Sequence, residues 1–161
     1  MLYFLLALIV IAIDQVSKWL VVTYMDLGES IPVIGEFFQI YSHRNRGAAF
    51  GILQDRRWFF IAFTSVILVG IVWYLLRMRK EKNRGMGIAL GLLLGGACGN
   101  FIDRLRTGEV VDFLKFRFQF SWFGRDIDYT FAIFNLADSA IVVSVGLILL
   151  LTLLEGRKSK K

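Results

Sequence analysis

Four long apolar stretches dominate the hydrophobic pattern, at residues 2–22, 58–76, 86–102 and 132–154. A helix needs roughly 20 such residues to cross a bilayer core of about 30 Å, so the pattern predicts four membrane-spanning helices. The third stretch is the shortest. Gly85, Gly87, Gly91, Gly95, Gly96 and Gly99 punctuate it, which in a membrane bundle marks a face where helices pack closely. Between the spans lie two long connections, 23–57 and 103–131. Within the second, Leu114, Phe116, Phe118, Phe120 and Trp122 alternate with Lys115, Arg117, Gln119 and Ser121. A period of two indicates a strand with one apolar face. Residues 31–41 are also strand-like, with a less regular pattern. The fold expected is an all-α membrane protein of four transmembrane helices with a small extracytoplasmic β-element, forming a single domain over residues 1–161.

Composition agrees with that pattern. The chain of 161 residues is 57% hydrophobic and 20% charged, with a mean hydropathy of +0.61. This is too apolar for an ordinary soluble domain and excludes disorder. The first stretch has no basic residue before its apolar run and carries Asp14 and Lys18 inside it, unlike a cleaved signal peptide. It is expected to be a retained helix. One cysteine, Cys98, and one histidine, His43, provide neither an internal disulfide nor a dedicated zinc site. His43 reads as a loop residue and Cys98 as a small packing residue. No metal and no cofactor are expected.

The net charge of +6 on its own could suggest a nucleic-acid partner. Its distribution points elsewhere. Arg77, Arg79, Lys80, Lys82 and Arg84 follow the second span, and Arg157, Lys158, Lys160 and Lys161 follow the fourth. These two segments hold nine of the 19 basic residues but only two of the 13 acids, Glu81 and Glu155. With four spans they share a side, and the positive-inside rule makes that side cytoplasmic. Both termini are then expected inside and both long connections outside, with no nucleic acid bound.

Ionisable residues inside spans are costly, about 2.5–3.5 kcal/mol each on insertion scales, so each needs a reason. Asp14 and Lys18 are four apart and can pair on one face of the first helix. At about 1.5 Å of rise per residue, Asp103 lies at the outer end of the third helix. Asp138 lies roughly 9 Å below the outer end of the fourth. Asp112 follows the third helix by a short connection. Four carboxylates therefore converge near the outer leaflet. Two neighbouring carboxylates share a proton, so that one activates water while the other hydrogen-bonds a carbonyl and protonates the leaving amine. The same acids would suit a small proton- or cation-coupled transporter, which usually keeps them near the midplane. Their position near one surface favours hydrolysis. Spacing alone leaves both Asp103 and Asp112 open as partner of Asp138.

Five motifs in order resemble the bacterial lipoprotein signal peptidases (signal peptidase II). They are Asp14-Gln15-Val16-Ser17-Lys18, Asn45-Arg46-Gly47-Ala48-Ala49-Phe50, Gly95-Gly96-Ala97-Cys98-Gly99-Asn100-Phe101-Ile102-Asp103-Arg104, Val110-Val111-Asp112-Phe113 and Phe134-Asn135-Leu136-Ala137-Asp138-Ser139. The resemblance implies an aspartyl endopeptidase of the bacterial plasma membrane. Such an enzyme removes the signal peptide of a prolipoprotein on the amino side of a diacylglyceryl-modified cysteine. It implies Asp112 and Asp138 as the catalytic dyad, and Asn45, Asn100, Asp103, Arg104 and Asn135 as polar residues around it. Asn100, Asp103 and Arg104 share a helix face, and Asn135 lies one turn before Asp138. Arg104 would bind substrate carbonyls or brace an aspartate, while Asp14 and Lys18 would stabilise the helices around the cavity. For Asn45, turn formation and substrate contact both stand. The expected partners are lipid-modified prolipoproteins and membrane lipid, the enzyme acting as a monomer. The apolar face of 114–123 is expected to lie over the substrate as a clamp.

Overall fold

The computed structural model describes residues 1–47, 56–78 and 83–158. Ala48, Ala49 and Phe50 of the second motif lie outside the described residues, as do Arg79, Lys80, Glu81, Lys82, Lys160 and Lys161. Four helices, α1 (Leu2–Tyr24), α2 (Arg57–Arg77), α3 (Arg84–Arg106) and α4 (Leu136–Lys158), are joined with four strands, β1 (Ser30–Ile34), β2 (Phe38–Asn45), β3 (Val110–Trp122) and β4 (Arg125–Thr130). All four helices are long and apolar enough to cross a membrane. The strands form one antiparallel sheet in the order β1-β2-β3-β4. The protein is therefore not all-α: each of the long connections contributes two strands to the sheet.

Two of the helix ends that differ from the hydropathy reading bear on the site. Helix α3 continues past residue 102 to Arg106, because Asn100, Asp103 and Arg104 find polar partners that let the helix persist beyond its apolar run. Helix α4 begins at Leu136 rather than 132. The preceding residues are held in extended form, with Phe113 N and Leu114 N donating to Phe134 O at 3.0 and 2.8 Å. Asp138 therefore sits in the first turn of α4, not a distance down it.

Helix α3 is the centre of the bundle, and its glycines explain how. A Cβ on Gly91 would stand 2.9 Å from Tyr3 O, one on Gly95 2.9 Å from Ala7 O, and one on Gly99 2.5 Å from Asp14 Oδ2. This stripe at every fourth residue lets α1 lie directly on α3. Gly96 faces the other way, with its hypothetical Cβ 2.5 Å from Ala137 O of α4. A core of Ala7, Ile71, Leu75, Leu90 and Leu94 fills the rest of the bundle. Most outward-facing apolar side chains remain exposed, among them Leu8, Val66, Val142 and Leu153, as expected of helices surrounded by lipid.

The sheet is built from tight reversals. Gly35, at φ +50, separates β1 from β2 inside the stretch read as a single strand. Phe123 and Gly124, at φ 49 and 71, form the two-residue turn between β3 and β4, the positive-φ geometry that matches strand twist. The apolar face of β3 divides in two. Phe116 packs against Phe37, Phe38 and Phe134, whereas Phe120, Trp122 and Phe123 at the hairpin tip are exposed.

Candidate active site

Asp112 reaches its place because the chain reverses immediately after α3. Gly108 takes φ +84, Thr107 Oγ1 donates to Asp103 O at 3.1 Å and Val111 N donates to Asp103 Oδ2 at 3.3 Å. Strand β3 then runs back across the start of α4. Asn135, fully buried, joins the two. Its Nδ2 donates to Asp112 Oδ1 at 2.7 Å, its Oδ1 accepts from Asp138 N at 2.9 Å, and its N–H donates to Asp138 Oδ2 at 3.2 Å. Asn45 Nδ2 donates to the other oxygen of Asp112 at 2.9 Å. Asn100 Nδ2 donates to Asp138 Oδ1 at 2.7 Å. Asp112 and Asp138 both line a cavity of about 1100 Å³. Burial, followed by the negative charge of Asp138, pushes the Asp112 carboxyl up to about 7.

Behind this layer lies a second polar layer centred on Lys18. Its Nζ stands 2.8 Å from Asp14 Oδ2, 2.8 Å from Asp103 Oδ2 and 2.8 Å from Asn100 Oδ1. Asp14 also accepts from Ala137 N at 3.0 Å, satisfying one of the free amides at the start of α4. The four carboxylates do converge, but in two ranks. Asp14 and Asp103 are buried against Lys18, and Asp103 does not line the cavity. Asp112 and Asp138 do. Geometry thus separates Asp112 from Asp103, which spacing did not.

Every residue expected at the site is in this cluster. Arg104 lines the cavity, donates from Nη2 to Gly47 O at 3.1 Å and lies over the Phe60 ring at 4.6 Å. Asn45 forms a turn, its Oδ1 accepting from Gly47 N at 2.9 Å, while its Nδ2 holds Asp112. The same amide therefore forms the expected turn and braces Asp112.

Three features were missed by the sequence reading. Gln15 Nε2 donates to Asp103 Oδ1 at 2.9 Å and to Gly99 O at 3.1 Å; its position one residue after Asp14, in an apolar helix, was the available signal. His43 is not a loop residue: it lies in β2, opposite Asp112 in register, and lines the cavity. The outer wall of the cavity comes from Tyr129, Phe131 and Ile133 rather than from the alternating face of β3. Among the described residues there is no His, Cys, Asp and Glu cluster able to hold a metal ion.

Four membrane-spanning helices, a sheet over one end and two carboxylates facing a cavity there are the architecture of a multi-pass membrane peptidase. The chain belongs to the signal peptidase II family, whose model, described as Signal peptidase (SPase) II, matches residues 6–154. It is 52% identical over 158 residues to a lipoprotein signal peptidase of Brevibacillus brevis, covering 98% of this chain and 99% of that one. It is 53% identical to a lipoprotein signal peptidase of Shouchella clausii, covering 98% and 97%. A solved structure described as a bacterial membrane enzyme superposes with a TM-score of 0.81 at 42% identity, covering 99% of this chain and 91% of that chain. A second bacterial membrane enzyme gives 0.78 at 44% identity, covering 94% and 92%.

Proposed function

We propose that this membrane peptidase cleaves lipid-modified prolipoproteins before the diacylglyceryl cysteine, using Asp112 and Asp138 as an aspartic dyad. The observation that carries the assignment is the pair itself: two carboxylates on one cavity, with Asn135 donating from Nδ2 to Asp112 and from its backbone N–H to Asp138. Asp112, the more buried, holds the shared proton. Asp138, at the N-terminus of α4 with N–H donors from Asn100 and Asn135, carries the charge. The charged carboxylate takes a proton from water, which attacks the scissile carbonyl. The neutral carboxyl hydrogen-bonds to the carbonyl oxygen without releasing its proton, and transfers that proton to the departing amine when the C–N bond breaks. No metal or cofactor takes part.

The cavity sits at the C-terminal ends of α1 and α3 and the N-terminal end of α4. The basic residues Arg77 and Arg84 lie at the opposite helix ends. With the basic ends on the cytoplasmic side, both termini would lie inside and the sheet and dyad at the outer leaflet. A substrate anchored by its signal helix and acyl chains would present its scissile bond at that depth. The enzyme acts as a monomer in this reading, since both acids and the amides that hold them come from one chain.

Purified enzyme incubated with a lipidated precursor peptide should yield two products, whereas Asp112→Asn and Asp138→Asn should insert normally and yield none. Full activity of either variant would overturn the dyad. Cleavage should persist in chelators. Ion flux into sealed vesicles without cleavage would favour the transporter alternative instead.

A further inference from the structure

The non-exposed polar side chains lining the cavity are, with one exception, already engaged. Asn45 is held by Asp112 and Gly47 N, Asn100 by Lys18 and Asp138, and Arg104 by Gly47 O and the Phe60 ring. Arg44 donates to Ser42 Oγ and His43 O, and Ser139 to Asn135 O. The exception is His43. Its ring stacks on Tyr41 at 6.2 Å between centroids, and neither ring nitrogen has a hydrogen bond among the described residues. The stacking and half-burial hold the ring in place, and the register sets it directly across from Asp112 on the neighbouring strand. Side chains of paired residues project from the same face of a sheet.

We propose that His43 is a specificity-determining residue that donates a ring N–H to an ester carbonyl of the diacylglyceryl group on the substrate cysteine. The inference rests on the aspartic dyad reading above and adds to it a recognition contact. Asp112 marks where the scissile bond sits, so His43 faces groups close to that bond. The backbone of β2 and β3 is already paired there, leaving side chains to do the recognition. On the retained side, the polar atoms that distinguish this substrate from an ordinary peptide are its glyceryl ester carbonyls, since the thioether sulfur is a weak acceptor. Burial, and then the neighbouring Arg44, hold the imidazole below its usual value, so at neutral pH it is uncharged. A neutral donor suits an uncharged ester better than a phosphate or carboxylate. The apolar Phe131 and Ile133 on the same cavity provide a wall for hydrocarbon beside it.

The test pairs the residue with the substrate group. Full-length enzyme and its His43→Phe and His43→Gln variants would be assayed on two precursor peptides, one with a diacyl glyceryl ester on cysteine and one with the dialkyl ether, which lacks the carbonyls. The wild type should prefer the ester by roughly three- to tenfold in kcat/KM, the size of one neutral hydrogen bond, chiefly through KM. His43→Phe should lose that preference, cleaving both peptides as the wild type cleaves the ether. His43→Gln, which retains an N–H donor, should recover part of it. Equal loss on both peptides in His43→Phe, or an undiminished ester preference, would overturn the proposal while leaving the dyad intact. Failure of the wild type to cleave either peptide would overturn both.

Discussion

Asn135 and Asp138 cap each other across the first turn of α4. The Asn135 side chain accepts from the Asp138 amide at 2.9 Å, and the Asp138 carboxylate accepts from the Asn135 amide at 3.2 Å. This is the reciprocal logic of a capping box, with one difference: the carboxylate that closes the box also faces the cavity. The second nitrogen of Asn135 holds Asp112. A single buried amide thus starts the helix and sets the spacing of the two acids.

Removing that amide should separate the two roles. Asn135→Ala should cost about 1–2 kcal/mol of stability from the lost cap and should abolish most cleavage. Asn135→Ser, which still caps but has no N–H for Asp112, should restore thermal stability in detergent without restoring activity. Equal recovery of both would show that Asn135 acts only as a cap.

The Asp112 carboxyl, raised from 3.8 to about 7, sets a pH dependence with a definite sign. Between those values the folded protein holds a proton that the unfolded chain has released. Stability therefore declines as pH rises through the window, the reverse of a salt-bridged aspartate. Cleavage should fall above about pH 7 as the dyad loses its proton. Thermal denaturation midpoints from pH 4 to 8 should show the decline in wild type and a flatter profile in Asp112→Asn.

Lys18 lies 2.8 Å from both Asp14 and Asp103. Deleting one partner of a buried ionic cluster typically costs about 3–5 kcal/mol, because the remaining charge is left uncompensated. Lys18→Met should therefore reduce the yield of folded enzyme sharply. Adding Asp14→Asn to it should recover part of the loss, a coupling readable in a double-mutant cycle. Strict additivity would rule out the cluster as the source.

Gly96 tests the contact between α3 and α4. A Cβ there would stand 2.5 Å from Ala137 O and 2.9 Å from the Ile141 side chain, so Gly96→Ala must shift the start of α4. The expected cost is about 1–3 kcal/mol, with a larger loss of cleavage because Asp138 moves with that turn. Gly146→Ala, on α4 with open space around it, should leave both nearly unchanged.

Much of this was legible in residue order. The four spans follow from apolar runs, because a bilayer demands a fixed length of hydrocarbon-compatible helix. Strand β3 follows from its alternation. Strand β4 was not read, although Ile127, Tyr129 and Phe131 alternate with Asp126, Asp128 and Thr130, because so short a period rich in acids resembles a polar loop. It forms through its two-residue turn and through pairs such as Arg117 with Asp128 and Ser121 with Asp126. Phe123 at positive φ concealed that turn, and only Gly124 hinted at it.

The sequence by itself determined the helices and the family, because hydropathy and motif order are properties of the chain alone. Only the tertiary structure decided which acids share the cavity. Asp103 and Asp112 are nine residues apart and both acidic, and nothing local separates them. The difference arises when Lys18 and Gln15 of α1 engage Asp103, while the turn at Gly108 carries Asp112 back to Asn135. Those contacts join distant parts of the chain, and so does the placement of His43 opposite Asp112. Such pairings depend on how helices and strands pack together, which residue order does not express.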